Sequence, residues 1–255
     1  MGERPLRTSI ATSDEQRITV RGADLTDDLM GTLDFGEFFY FHLTGEMPTD
    51  SESRVFNTLL VTVVEHGVTP SVIAARLTYD SAPEAVQGAV SSGLLGAGKT
   101  FLGSMQDVAE IVQDGVSRIE NGDSSEAVAR DVVAAHDRLP GFGHPEHEPT
   151  DPRTDRIFEI LEEEGMDGPY LEFIYDVQDA AEEQFGSRPL INATGAIGVG
   201  VSELGLDPIV ARGIALVARS AGLVGHLNEE IHEPMARDIW DVVEENVEYQ
   251  DGETR

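Results

Sequence analysis

The sequence has no cysteine, one tryptophan and one lysine, Lys99. Without thiols it can form neither a disulfide nor a thiolate metal site, as expected of a cytoplasmic protein in a reducing compartment. Lysine and arginine together number 17, and they form no stripe or cluster. Nothing in the chain therefore complements a phosphate backbone, and nucleic acid is excluded as a partner. Long apolar runs are missing too. The longest, residues 209–227, is interrupted by Arg212, Arg219 and His226. Charged groups there would be costly inside a bilayer, so the run reads as a buried helix of a protein that is not membrane-embedded. Residues 1–21 lack the apolar core of a secretory signal.

Acid is abundant. Asp and Glu number 48, giving a formal net charge of −31. They are spread along apolar, helix-patterned segments and are not confined to a tail. Such a surface repels itself at low salt, whereas a Debye length of about 3 Å at molar salt screens the repulsion. The expectation is a halophilic protein. Its 255 residues fit one large domain or two intimately joined ones, and 40% hydrophobic content fills a core.

Along the chain, residues 9–21 alternate weakly and suggest at most a short hairpin. Val55, Phe56, Leu59, Leu60, Val63 and Val64 share one helical face, with Ser51 as the expected N-cap and Gly67 as the stop. Thr69-Pro70 reads as an N-cap followed by proline at the first helical position. Ser81-Ala82-Pro83-Glu84 reads as a capping box for the next helix. Val108, Ile111, Val112, Val116 and Ile119 form another apolar face, ending at Asn121-Gly122. A further helix is expected from residues 123–126 to Leu139-Pro140, then a loop over 141–153. Helices follow at about 155–164, 169–185, 193–204, 208–227 and 236–245. With no regular strand–helix alternation, the fold class is all-α.

Four segments carry possible chemistry. Residues 93–100 satisfy the P-loop pattern GxxxxGK[ST], but a capped helical segment precedes them and no buried strand does. An NTPase is therefore not expected; Lys99 reads either as a phosphate contact or as a solvated lysine. His66, in Glu65-His66-Gly67, is either a group that stabilises a helix C-terminus or a catalytic one. The Gly/Pro-rich stretch 141–153 holds His144 nine residues before Arg153. His147 lies in the same stretch, but the other histidines lack ligand spacing, so no metal is expected. Arg219 sits inside an apolar helix and needs an anion, from an acid or from a substrate.

Taken in order, these segments resemble the citrate synthase superfamily. Arg21-Gly22 with Asp24, then residues 42–49 (HLTGEMPT), are similar to its "RG…D…L…GELPT" signature. Glu65-His66-Gly67 through Ala75-Arg76 resembles "EHG…aaR", residues 141–153 resemble "GFGH…DPR", and residues 218–222 resemble its "aR…G" helix. Ser91-Ser92-Gly93-Leu94-Leu95 looks closer to the citryl-CoA lyase branch. The resemblance implies a large helical domain (1–98 plus 216–255), a small one (99–215), and a homodimer with helices packed across its interface. It also implies a carbon–carbon lyase acting on a CoA thioester, most simply citryl-CoA giving acetyl-CoA and oxaloacetate. A related condensing enzyme or a non-catalytic CoA-ester binder is the alternative.

By that resemblance His144 is the general base at the tertiary hydroxyl, and His66 hydrogen-bonds the oxaloacetate portion. Arg153, Arg219 and Arg76 hold carboxylates, with bidentate geometry that lysine cannot copy. Lys99 with Gly141, Phe142 and Gly143 would meet CoA, which enters as substrate and not as a cofactor. Two positions depart from the family. The loop that carries an enolate-donating histidine reads Lys99-Thr100-Phe101-Leu102-Gly103, and Thr194 of Asn192-Ala193-Thr194-Gly195 stands where the family has its carbon acid/base aspartate. A threonine hydroxyl is no base at neutral pH. That handicaps a synthase more than a lyase, whose enolate can take its proton from water.

The dispersed charge makes a first prediction. Lowering KCl from molar to about 0.1 M, where screening reaches only about 10 Å, should unfold or dissociate the protein; a melting temperature unchanged across that range would refute the halophilic reading.

Overall fold

A computed structural model describes residues 6–143 and 149–250. The described residues form eleven α-helices behind one small antiparallel ribbon, so the all-α expectation holds. The ribbon comprises β1 (Ala11–Ser13), β2 (Ile18–Val20) and β3 (Ala23–Asp24), with Ala11 opposite Val20 and Val20 opposite Ala23. This is the expected hairpin with a third strand added. Arg21 anchors it, donating to the carbonyls of His42 and Leu43, both at 2.9 Å. Those carbonyls end α1 (Phe35–Thr44), which an Asp34–Glu37 capping box opens.

Helix α2 (Asp50–Val64) buries Val55, Phe56, Leu59, Leu60 and Val63, the face that periodicity marks. Its cap is Thr49 and not Ser51. The Thr49 hydroxyl accepts from the Glu52 amide, and the Glu52 carboxylate accepts from the Thr49 amide at 2.7 Å. Helix α3 (Pro70–Ser81) begins with proline, as expected. Ser81 does not open a capping box; its hydroxyl donates to the Leu77 carbonyl and closes α3.

Helix α4 (Val86–Leu102) contains the whole run 93–100, so the P-loop-like residues other than Gly98, Lys99 included, are helical and form no phosphate loop. The helix breaks at Gly98, whose φ of 54° and ψ of −160° suit only glycine. Then come α5 (Ser104–Glu120), α6 (Ser125–Ala134), α7 (Pro152–Glu163), α8 (Pro169–Phe185), α9 (Ala193–Glu203), α10 (Pro208–His232) and α11 (Ala236–Asn246). Helix α6 stops at Ala134, short of Leu139-Pro140.

Helix α9 is the hub. From Ala193 to Ser202 every residue except Thr194 is buried, and a helix apolar on all sides belongs at a centre. Helices α2, α5, α7, α8 and α10 surround it. The largest apolar cluster runs from Tyr40 on α1 to Ala218 on α10 and includes Phe56, Met105, Phe173 and Ile197. Helix α10 is, by length and composition, the one described helix apolar enough to cross a membrane. On its inner face Ala211, Ile214, Ala215 and Ala218 are buried in this core, while Leu223 and Leu227 pack in a second cluster with Val72, Ala75 and Ala89. Ile209, Leu216, Val224 and Ile231 on its other face are exposed.

Candidate active site

One carboxylate organises the region where the candidate residues meet. Asp151 is fully buried. It caps α7 by accepting from the Arg153 amide at 3.0 Å, and it accepts from the Ala193 amide at the start of α9 at 3.1 Å. It also holds the Arg153 guanidinium through two parallel bonds, Nε to Oδ1 at 3.0 Å and Nη2 to Oδ2 at 2.8 Å. Burial alone would raise the Asp151 pKa, but the hydrogen bonds from Arg153 and Ala193 outweigh it and hold the carboxyl below its ordinary value.

The segment 141–143 is zipped to 190–192. Gly143 N–H donates to the Leu190 carbonyl (2.8 Å), Asn192 N–H to Gly141 (2.9 Å) and Asn192 Nδ2 to Gly143 (2.7 Å). The approach demands glycine at Gly195, where a Cβ would meet the Gly141 carbonyl oxygen at 2.7 Å. Asn192 caps α9 with its side-chain oxygen, which accepts from the amides of Thr194 and Gly195 and from the Thr194 hydroxyl at 2.7 Å.

These segments, with the turn after α2 and the middle of α10, enclose a cleft of about 810 Å³. His66, Lys99, Gly141, Phe142, Gly143, Arg153, Thr194 and Arg219 all line it, residues spread over more than 150 positions and four helices. His144 lies outside the described residues, as do His147 and Glu148. Its neighbour Gly143 and the loop's far end, Arg153, both border the cleft.

Electrostatically the cleft inverts the rest of the chain. Among the described residues, Lys99, Arg138, Arg153 and Arg219 line it against only Glu65 and Asp107, within a molecule of net charge −31. Arg219 is 8% exposed, and its Nη1 is buried with no hydrogen-bond partner among the described residues. Desolvation pulls its pKa below the ordinary value, and the nearby Glu65 only partly restores it. The Thr69 hydroxyl, read from sequence as a helix cap, makes no cap hydrogen bond. It is likewise buried and unpartnered, and it borders the same cleft.

One expectation needs correction. Arg76 does not border the cleft. It is 0% exposed, and its guanidinium is taken by Glu230 at 2.7 Å, by Glu229, and by His226 Nδ1 at 2.9 Å. Two acids and a ring at one buried cation make it a structural tie between α3 and α10. Lys99 borders the cleft, but from the helix just past the Gly98 break. Its side chain is 74% exposed and lies 3.6 Å from Asp107. Sequence reasoning passed over Arg138 and gave Asn192 and Thr69 no part in the site, because the first has no local pattern and Thr69 reads as a helix cap.

Comparison with known proteins agrees with this geometry. The profile of the citrate synthase C-terminal domain matches residues 6–239, so the chain belongs to the citrate synthase family. Within that family, the citryl-CoA lyase from Hydrogenobacter thermophilus superposes with a TM-score of 0.87 at 32% identity, covering 99% of this chain and 97% of that one. An ATP citrate lyase from Methanosaeta concilii, solved with (3S)-citryl-CoA, shares the fold at TM-score 0.73 and 16% identity; this chain covers 43% of it. The citrate synthase from Acidithiobacillus ferridurans is 26% identical over 202 residues, and the chain spans 50% of its length.

The Asp151 geometry yields a prediction with a definite sign. A carboxyl held below its ordinary pKa contributes stability that is full above the unfolded value, near 3.9, and is lost as pH falls through the folded one. Asp151→Asn should therefore melt below wild type at pH 7, and the gap should narrow as pH falls below about 4. Melting curves that stay parallel from pH 7 to 3 would show that this carboxylate is not the linked group.

Proposed function

We propose that this chain is a citryl-CoA lyase that cleaves citryl-CoA to acetyl-CoA and oxaloacetate. One observation carries the reading: Arg219 holds a buried guanidinium donor, unpartnered among the described residues, in a cation-lined cleft of a strongly acidic chain. A buried cation without a partner is costly unless an anion completes it. Citryl-CoA is such an anion, with carboxylates at one end and CoA phosphates at the other. The likeness to the Hydrogenobacter lyase, which spans nearly all of both chains, supports the same choice.

The reaction breaks one carbon–carbon bond. A base removes the tertiary hydroxyl proton, and the alkoxide collapses to the ketone of oxaloacetate. The bonding pair moves into the thioester as an enolate, and protonation at carbon gives acetyl-CoA. His144 takes the base role by its place in the family loop. His66 hydrogen-bonds the oxaloacetate portion. Arg219 and Arg153 hold carboxylates, the latter pre-set by Asp151. Gly141, Phe142 and Gly143 with Lys99 face the CoA portion. The Thr194 hydroxyl spends its proton on Asn192 Oδ1, so it holds its place as a fixed dipole and not as a carbon base. Condensation would need a base for the acetyl-CoA methyl group, whereas cleavage needs only a proton, and water can supply it.

The same reading extends to the chain's setting. We place it in the cytoplasm at high salt, off the membrane, with the large and small helical domains divided near residues 98 and 216. It acts as a homodimer: no acid occurs between Asp207 and Glu229, and the exposed Ile209, Leu216 and Val224 of α10 fall in that acid-free interval. Two copies that each carry −31 can meet only across such a face. Sedimentation in molar KCl should give the mass of two chains; a monomer would overturn this assignment.

The central test is acetyl-CoA release from citryl-CoA in molar KCl. Wild type should turn over, and Arg219→Lys, which keeps the charge and loses the fork, should weaken substrate binding about 10- to 100-fold. Faster condensation of acetyl-CoA with oxaloacetate than cleavage would favour the synthase alternative. Tight CoA-ester binding without turnover would make the chain a binder.

A further inference from the structure

The turn that carries His66 is held by a line of groups reaching back into α10 and α11. Glu65 ends α2, and its carboxylate folds over the turn to accept from the amides of His66 and Gly67, both at 2.8 Å. That carboxylate is in turn met by His226 Nε2 of α10, at 3.1 Å from Oε1 and 3.0 Å from Oε2. The other ring nitrogen, Nδ1, lies 2.9 Å from Arg76 Nη2. A guanidinium can only donate, so Nδ1 accepts, the ring proton sits on Nε2, and Nε2 donates to Glu65. Arg76 is itself fixed in the core by Glu229 and by Glu230 at 2.7 Å. Glu230 also accepts from the amides of Met235 and Ala236, which open α11.

We propose that His226 is a positioning residue for the cleft: it orients Glu65, and through Glu65 the His66 turn, by acting as acceptor toward Arg76 and donor toward Glu65. The proposal rests on the reading that His66 contacts substrate. Glu65, His66, Gly67 and Val68 are all exposed, and the Glu65 carboxylate ties down two of the amides of this turn. A carboxylate left to solvent would sample several rotamers. His226, in the acid-free stretch of α10 and only 13% exposed at its side chain, selects one. The line also explains why Arg76 lies outside the cleft yet belongs to the same sequence segment as His66: it supplies the donor that fixes the tautomer of the ring.

The test uses the full chain in molar KCl with three variants. His226→Leu removes both hydrogen bonds. His226→Gln keeps one acceptor and one donor on a side chain of similar reach. Glu65→Ala removes the carboxylate and leaves the Arg76 cluster intact. The expected result for His226→Leu is faster hydrogen exchange at the His66 and Gly67 amides, by about tenfold, with the Leu223 and Leu227 amides of α10 unchanged. Its kcat for citryl-CoA cleavage should fall by up to about 10²-fold, and His226→Gln should recover most of both losses. Unchanged exchange at His66 and Gly67, or a glutamine variant as impaired as the leucine one, would overturn the proposal. If His226→Leu does not fold, Glu65→Ala decides, since it must show the same local exchange. Should wild type fail to cleave citryl-CoA, the functional reading falls, while the amide exchange still tests the positioning role.

Discussion

The Asp151 carboxylate is the interaction on which the site depends. It is completely buried, and it receives four hydrogen bonds from two helix starts and one guanidinium. Each bond fixes something different. The Arg153 amide sets where α7 begins, the Ala193 amide sets where α9 begins, and the fork sets where Arg153 points. A carboxylate at two helix N-termini is favoured by both dipoles, and with a cation beside it the burial cost is offset. Because α9 is the hub around which five helices pack, the position of the cleft is tied to the centre of the fold and not to a loose surface loop. That rigidity is what binding a multiply charged ester requires, since orientation is most of what such a site contributes.

Arg76 and Arg219 make a useful pair. Both are arginines inside apolar helical segments, both are buried, and both were expected to hold substrate. The protein gives Arg76 two carboxylates and a histidine; among the described residues it gives Arg219 only the charge of Glu65 and leaves one donor unpaired. The first arrangement closes a structural network. The second leaves a buried charge waiting for an anion, which destabilises the empty protein in exchange for a site. An unpaired buried donor is costly, and a bound anion would remove that cost.

This contrast shows how far the sequence could be read. Period and punctuation marked α8 and α9 to within a residue, and the apolar faces of α2 and α5, because those faces are built from local spacing and the ends of α8 and α9 from proline, glycine and asparagine. Helix α1 was not marked by the sequence, since aromatics crowd several of its faces. The Ser51 and Ser81 caps failed because Thr49 and Val86 offered competing starts, and which start wins depends on packing the sequence does not display. Eight of the nominated site residues converge on one cleft. Arg76 does not, because the partners that occupy it, Glu229 and Glu230, are 153 and 154 residues away. Thr69 escaped notice for the opposite reason: its local pattern was a good cap, and only the fold reveals that the hydroxyl caps nothing.

The division of labour among the cleft cations follows from the same electrostatics that shaped the surface. At molar salt an exposed charge is screened within about 3 Å, so a solvated cation attracts an anion scarcely more than water does. Lys99, mostly in solvent and already beside Asp107, is therefore a weak contributor there. Buried and half-buried cations escape most of that screening, because ions do not enter the medium between them and a bound carboxylate. Arg219 and Arg153 meet this condition, and both are guanidiniums, which lose less on dehydration than an ammonium and present a fork matched to a carboxylate. A chain with sixteen arginines and one lysine has nearly all its cations in the form that still recognises anions in strong salt, and it places the ones that matter out of the salt's reach.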